Sequence, residues 1–224
     1  SRVSAIVLAA GKGTRMNSSL PKVLHPVAGR PMLERVLTAL RQSGAKDIRV
    51  VVGHGKELVR PHAESMGAQC FEQVLQAGTA DAVKAAQLNT IDGSVFIVNG
   101  DHPLIEADDL RKILGEFREQ KIDIAVVTAK VKKPGSFGRV VRSHGELYAI
   151  VEAKDATPET LRINEINTGI YLVKADVLAE LIPGIKNQNS KGEYYLTDII
   201  GLGRENGFRV KALQAHSRVS VGVN

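Results

Sequence analysis

Chemistry on phosphates is written into a few stretches of this chain. Gly11-Lys12-Gly13-Thr14-Arg15 follows the apolar run Val3–Val7 and the small step Leu8-Ala9-Ala10, and Leu20-Pro21-Lys22 stands shortly after it. Glycine reaches backbone angles closed to other residues and carries no side chain, so main-chain N–H groups in such a loop can approach an anion closely. Lys12, Arg15 and Lys22 add cations, Arg15 as a planar fork of donors and Lys22 as a point charge. A second stretch, Asn99-Gly100-Asp101-His102-Pro103-Leu104, follows the apolar run Ser94–Val98. A carboxylate just beyond the carboxyl end of a parallel strand lies where open α/β sheets bind ligands, and Mg2+ takes such oxygen ligands together with substrate phosphates. In a third, Gln73 precedes Gly78-Thr79: an amide can donate to and accept from the edge of a base, and Gly78 lets backbone come close. Thr79 is placed to cap the helix that follows.

The spacing also excludes two common phosphate loops. A dinucleotide fingerprint needs a third glycine or a small residue where Met16 stands, and a Walker loop needs Gly-Lys-Ser/Thr after four intervening residues. Leu8 to Met16, with Leu20-Pro21-Lys22, instead resembles the signature of sugar-1-phosphate nucleotidyltransferases. Within them it is similar to the uridyltransferase domain of the bifunctional bacterial N-acetylglucosamine-1-phosphate uridyltransferases, and the resemblance runs over essentially the whole chain. It implies a nucleotide held by Leu8, Ala9, Ala10, Gly11, Gly13 and Thr14, with uracil met by Gln73 and Gly78 beside Thr79. It further implies catalytic roles for Arg15, Lys22 and Asp101, sugar contacts from Gly138, Glu152 and Asn167, and a sugar-phosphate contact from Thr197. Mg2+ would lie on Asp101 and Asn224. Ala80-Asp81 departs from the Gly-His of enterobacterial members, and Asn99 from the Tyr found in many. The implied reaction joins UTP and N-acetyl-α-D-glucosamine 1-phosphate into UDP-N-acetylglucosamine and pyrophosphate. Two rivals remain: a nucleotidyltransferase with a different base or sugar 1-phosphate, and a nucleotide-sugar sensor without turnover.

The elements that must carry these residues alternate. Met32, Leu33, Val36, Leu37 and Leu40 recur at helical spacing, with Pro31 suited to the first turn and Gly44 to the end. Asp47–Val52 reads as a strand, Lys56–Met66 as a weaker helix and Ala68–Phe71 as a short strand. Val83, Ala86 and Leu88 follow Thr79 on a helix; Leu110, Ile113, Leu114 and Phe117 mark another before a strand over Ile122–Val131. Such alternation predicts a mainly parallel sheet covered on both faces. The pattern then changes: Gly135–Val141 and Glu146–Val151 alternate in polarity about His144-Gly145, as in an antiparallel ribbon. A strand from Glu165, a helix over Ala175–Leu181, a mobile loop over Lys186–Gly192 and a last strand over Phe208–Leu213 complete the chain. The fold class expected is α/β, a Rossmann-like, doubly wound, mixed but mainly parallel sheet with a small antiparallel sugar-binding lobe. It forms a single domain over 1–224, with 1–131 serving the nucleotide and 132–224 serving the sugar before returning to the sheet.

Thirty basic against twenty-four acidic residues give a formal charge of +6. With few aromatics, no Trp and no basic cluster, this balance suits a cationic cleft for UTP, sugar phosphate and pyrophosphate better than nucleic acid. Cys70 is the only cysteine, so no intrachain disulfide forms; it reads as a buried, inert thiol. Val3–Ala10 is too short to span a bilayer and leads into the glycine loop, which points to the cytoplasm and away from a membrane. His54 and His102 read as ordinary loop residues. The bifunctional family continues into a β-helix of hexapeptide repeats, and none occurs in this sequence. The expectation is a piece of a longer protein, with uridyltransferase and no acetyltransferase activity.

Overall fold

The computed structural model of the chain describes residues 2–13, 18–102 and 105–215. β1 (Val3–Ala9) is buried along almost its whole length, as befits a strand covered on both faces. A small hairpin, β2 (Pro26–Val27) and β3 (Arg30–Pro31), leads into α1 (Met32–Gln42). Pro31 stands at the N-cap of α1, one residue before the first turn, and the helix stops at Ser43 before Gly44, whose φ of 105° suits glycine alone. β4 (Asp47–Val52), α2 (Lys56–Ser65), β5 (Gln69–Glu72), α3 (Thr79–Ala85) and β6 (Ser94–Asn99) continue the alternation. The helix after Thr79 is shorter than the apolar spacing implies. Gln87 takes φ 57°, a left-handed angle that breaks the helix, and Leu88–Thr90 forms a separate single turn.

α4 (Ala107–Glu119), β7 (Ile124–Lys130), β8 (Arg139–Ser143), β9 (Glu146–Val151), α5 (Pro158–Leu161), β10 (Glu165–Lys174), α6 (Ala175–Leu181), α7 (Ile199–Glu205) and β11 (Val210–Gln214) follow. The sheet order is β11-β7-β10-β6-β1-β4-β5. β1 runs parallel to β4 and β6, β4 to β5, and β7 to β11. β10 alone in this row is antiparallel to both neighbours, β6 and β7. The β8/β9 ribbon turns at His144 and Gly145, both at positive φ, and joins the sheet where Arg139 pairs with Ile166 of β10.

Side chains alternate across the sheet into two cores, as a period of two requires. Ala5, Val7, Phe96 and Val98 face α1, α2 and α4 through Leu33, Val36, Val59 and Leu110. Ile6, Val51, Val95 and Ile97 face α3, α6 and α7 through Val83, Leu178 and Ile199. The doubly wound, mainly parallel sheet with helices on both faces is therefore what the chain builds.

One irregularity reaches the site. The pairing of β10 with β7 shifts register between Asn167 and Tyr171, so Thr168, Gly169 and Ile170 bulge from the ladder. Thr168 Oγ1 donates to Val127 O at 2.7 Å, and Asn167 Oδ1 accepts from Gly169 N at 2.8 Å, so the bulge is held by its own side chains. Bulges re-aim side chains, and this one turns Asn167 toward the ribbon.

Candidate functional site

The order of the sheet reverses at β1, which has β4 on one side and β6 on the other. Connections leaving their carboxyl ends diverge there and leave a crevice. Backbone bonds fix its floor: Gly100 N donates to Leu8 O at 2.9 Å and His54 N to Ala10 O at 3.3 Å. A cavity of about 720 Å³ opens at this point, walled by residues 8–13, Lys22, Gln73, Gly78, Thr79, Asn99 and Asp101 among others.

Gly13 has φ 56°, and a Cβ there would stand 3.1 Å from Lys22 Cβ, so glycine lets the loop close against the Lys22 stem. Gly11 differs from expectation: its φ lies outside the left-handed region, and a Cβ on it would meet nothing within 4 Å. Its lack of a side chain keeps that stretch of wall open. Lys22 Nζ lies 2.9 Å from Asp101 Oδ2, each side chain about one-third exposed. Thr14, Arg15 and Asn224 lie outside the described residues.

Gln73 is buried, and its Nε2 donates to Asp81 Oδ2 at 2.8 Å and Gly78 O at 3.2 Å. Part of its amide is thus committed inside the loop. Gly78 has φ 115°, and a Cβ there would stand 2.6 Å from Tyr194 O. The close backbone approach that needs glycine here is to the segment at Tyr194, which also pairs through Tyr194 N to Ala77 O at 2.8 Å and Ala80 N to Tyr194 O at 2.9 Å. Thr79 does not cap α3. Gly78 holds the N-cap position, and Thr79 Oγ1 instead accepts from Leu196 N at 2.8 Å, tying the cavity wall to the residue before Thr197.

The residues expected at a sugar meet beside β10. A Cβ on Gly138 would lie 3.1 Å from Ile150 Cγ2, 3.6 Å from Glu152 Oε1 and 3.7 Å from Asn167 Cβ. Gly138 O accepts from Asn167 N at 2.9 Å, and Asn167 Nδ2 donates to Tyr171 OH at 3.0 Å. Burial pushes the Glu152 carboxyl up, opposed by the Lys191 charge, and burial with Asp155 raises that of Asp198. Thr197 is buried, and its Oγ1 has no hydrogen-bond partner among the described residues. A buried hydroxyl left in that condition is unusual. Gly138, Glu152, Asn167 and Thr197 do not themselves wall the cavity. Asn99, which does, has its Nδ2 3.0 Å from where a Gly169 Cβ would stand, and so joins the two regions.

Several residues have other parts than the sequence suggested. His102 is buried rather than an ordinary loop residue: its Nε2 donates to Thr168 O at 3.1 Å, and burial lowers its pKa. It packs the Asp101 loop against the β10 bulge. The loop over 186–192 is tied by Ser190 N to Asp155 Oδ1 at 2.9 Å and Asn189 Nδ2 to Glu193 O at 2.6 Å. Cys70 is half-buried, with its thiol pushed up by burial. Asp81 was visible only as a departure at the third position after Gly78, and its bond to Gln73 has no sequence signal. Among the described residues no helix is long and apolar enough to cross a membrane.

Known proteins align with this arrangement. The family model of the MobA-like NTP transferase domain matches residues 5–162. The bifunctional protein GlmU of Bdellovibrio bacteriovorus is 59% identical over 222 residues, covering 99% of this chain and 48% of that protein. GlmU of Clostridium beijerinckii is 41% identical, covering 98% of this chain and 49% of that protein. The chain thus spans about half the length of these curated relatives. Among solved structures, a putative glucose-1-phosphate thymidylyltransferase of Bacillus anthracis, in complex with a sucrose, superposes with TM-score 0.76 at 26% identity, covering 95% of this chain and 87% of that one. A UDP-glucose pyrophosphorylase complexed with UDP-glucose gives TM-score 0.78 at 17% identity over 96% and 90%, a likeness of fold.

Proposed function

The chain belongs to the MobA-like NTP transferase domain family, and from that premise we propose that it joins UTP and N-acetylglucosamine 1-phosphate into UDP-N-acetylglucosamine and pyrophosphate. The observation that carries this reading is the Lys22–Asp101 pair, 2.9 Å apart on the wall of a cavity bounded by the loop of Gly11 and Gly13. It unites a phosphate-binding cation, a metal-binding carboxylate and exposed backbone where open α/β sheets take their ligands. The 59% identity to a bifunctional GlmU over nearly all of this chain supports the choice of sugar phosphate and base.

In this reading residues 1–131 serve the nucleotide and 132–224 the sugar. A phosphate oxygen of the sugar phosphate attacks the α-phosphorus of UTP in line, and the bond to pyrophosphate breaks. The nucleophile is anionic at neutral pH, so no dedicated general base is required and catalysis is positioning with charge stabilisation. Leu8–Ala10, Gly11, Gly13 and Thr14 line the triphosphate and nucleoside; Arg15 and Lys22 offset charge on the transferred phosphate. Gln73, Gly78 and Thr79 take the uracil side. Gly138, Glu152 and Asn167 orient the sugar hydroxyls and acetamido group, and Thr197 serves the sugar phosphate.

Mg2+ is the metal this chemistry calls for. Asp101 is a hard oxygen donor on the cavity wall, already beside a cation, and no group of three His, Cys, Asp or Glu among the described residues could hold an ion by itself. That donor set fits an ion that draws most of its ligands from phosphates and water. Asp101 and Asn224 would hold it, and bound there it would neutralise phosphate charge. The location proposed is the cytoplasm. Pyrophosphate release across UTP, dTTP, CTP and GTP with several sugar 1-phosphates tests the reading; UTP with N-acetylglucosamine 1-phosphate is expected to lead, and no release with any pair would overturn it.

A further inference from the structure

The Gln73 side chain is held in one orientation by a residue to which the proposed reaction assigns no part. Its Nε2 lies within hydrogen-bonding distance of three oxygens: Asp81 Oδ2 at 2.8 Å, Gly78 O at 3.2 Å and Leu75 O at 3.4 Å. Backbone carbonyls only accept, and so does a carboxylate, so the NH2 end of the amide must face them and Oε1 must be the other end. Oε1 accepts no hydrogen bond from the described residues, and Gln73 walls the cavity.

Among the holders Asp81 is the closest, and a carboxylate acceptor makes the strongest of the three bonds. It projects from the first turn of α3 and also lies 3.4 Å from Ala77 N, so it braces both ends of the loop between Gln73 and Gly78. The two carbonyls belong to the backbone whatever side chain stands at position 81. Asp81 is the part of this arrangement that a substitution can remove.

We propose that Asp81 is a positioning residue that sets base specificity: it locks the Gln73 amide with NH2 inward, so that only an acceptor, Oε1, faces the base. The proposal rests on the reading of Gln73 as the base-contacting residue. Uracil carries an N3–H donor at the centre of its pairing edge, whereas cytosine carries a lone pair there. A fixed acceptor pairs with the first and opposes the second, and a polar site that leaves a buried partner unpaired discriminates strongly. Without Asp81 only the longer carbonyl contacts, at 3.2 and 3.4 Å, hold the NH2 end inward, and a glutamine that turns its amide over more readily serves both bases.

The test compares kcat/KM for UTP and CTP in the wild-type chain and in the Asp81→Ala, Asp81→Asn, Gln73→Ala and double Gln73→Ala/Asp81→Ala variants. Asp81→Ala is expected to lower the UTP-to-CTP ratio about tenfold or more, moving KM for UTP more than kcat. Asp81→Asn, whose side-chain oxygen still accepts, keeps most of the preference, and Asp81→Ala changes the ratio no further once Gln73 is alanine. Asp81→Leu, which branches at Cγ as aspartate does and carries no acceptor, replaces Asp81→Ala if the latter does not fold. A lowered ratio in Gln73→Ala with an unchanged ratio in Asp81→Ala or Asp81→Leu overturns the role of Asp81 and leaves the base reading standing. Unchanged ratios in both overturn the base reading and the proposal with it.

Discussion

Lys22 Nζ stands 2.9 Å from Asp101 Oδ2, so a cation from the segment after β1 and a carboxylate from the segment after β6 meet on one cavity wall. Each is about one-third exposed. A pair this open to water adds about 1 kcal/mol or less to stability. In the proposed reaction its worth is what it would present to a phosphate: a positive point charge beside an oxygen donor for a metal.

Lys22→Ala is therefore expected to fold with near-normal stability and to lose turnover. Removing one preorganised charge-stabilising group costs about a hundredfold or more in kcat. Pyrophosphate release from UTP and N-acetylglucosamine 1-phosphate, alongside a thermal melt, separates the two effects. Near-normal turnover in the folded variant would remove Lys22 from the proposed machinery.

Gly78→Ala is expected to act on the fold before it acts on the base. The backbone there has φ 115°, and a Cβ would stand 2.6 Å from Tyr194 O and 2.8 Å from Tyr194 N, neither of which can yield without breaking its own hydrogen bonds. Strain of this kind costs about 1–3 kcal/mol, and the displaced pairing adds to it. A denaturant titration should find Gly78→Ala less stable by about 2 kcal/mol or more. Gly11→Ala is the control: a Cβ there meets nothing within 4 Å, so the empty protein should keep its stability while activity falls, because the methyl group intrudes where phosphate is expected.

These two glycines show where sequence reasoning succeeds and where it stops. β1 and β4 were legible because short runs rich in β-branched residues, ended by small residues and glycine, leave few alternatives to a buried parallel strand. The Lys22–Asp101 contact had no such local signal: it depends on the sheet order around β1, which brings the two segments together. Gly78 was singled out for a base, yet its tightest neighbour is Tyr194, more than a hundred residues away in the chain, and only tertiary packing reveals that. Thr79 has the composition of a helix cap and spends its hydroxyl on Leu196 N instead. The bulge in β10 was invisible for the same reason: it depends on pairing with Val127, and local pattern carries no such register.

Asn167→Ala is expected to raise KM for the sugar phosphate about tenfold while changing KM for UTP little. Asn167 is held by the bulge through Gly169 N and Tyr171 OH and lies beside Glu152 and Gly138, away from the cavity wall that receives Gln73. One lost hydrogen bond to a neutral sugar group is worth about 1.5 kcal/mol, which is that factor. Equal rises in both constants would instead mean that the bulge itself had collapsed.

The last prediction concerns what fastens the β8/β9 ribbon to the sheet. Glu165 at the start of β10 is buried and accepts from Arg142 Nε at 2.7 Å, Arg142 Nη2 at 2.9 Å and Thr128 Oγ1 at 2.8 Å, so β7, β8 and β10 converge on one carboxylate. The Arg142 bonds, together with Thr128, hold its pKa below the ordinary carboxylate value. In the unfolded chain the group titrates near its usual value of about 4.3. The folded state therefore binds the proton less readily, so stability from this group is complete above that value and is lost as pH falls through the lower folded pKa. Glu165→Gln keeps the shape but gives up the charge, and should cost about 1.5–3 kcal/mol at neutral pH, the scale of hydrogen bonds to a charged group. Urea unfolding at about pH 7 and about pH 3 checks the sign: the gap between wild type and variant must narrow at the acid end, where the unfolded chain takes up a proton that the folded state resists. A gap that stayed constant would mean that Glu165 holds the ribbon by packing alone.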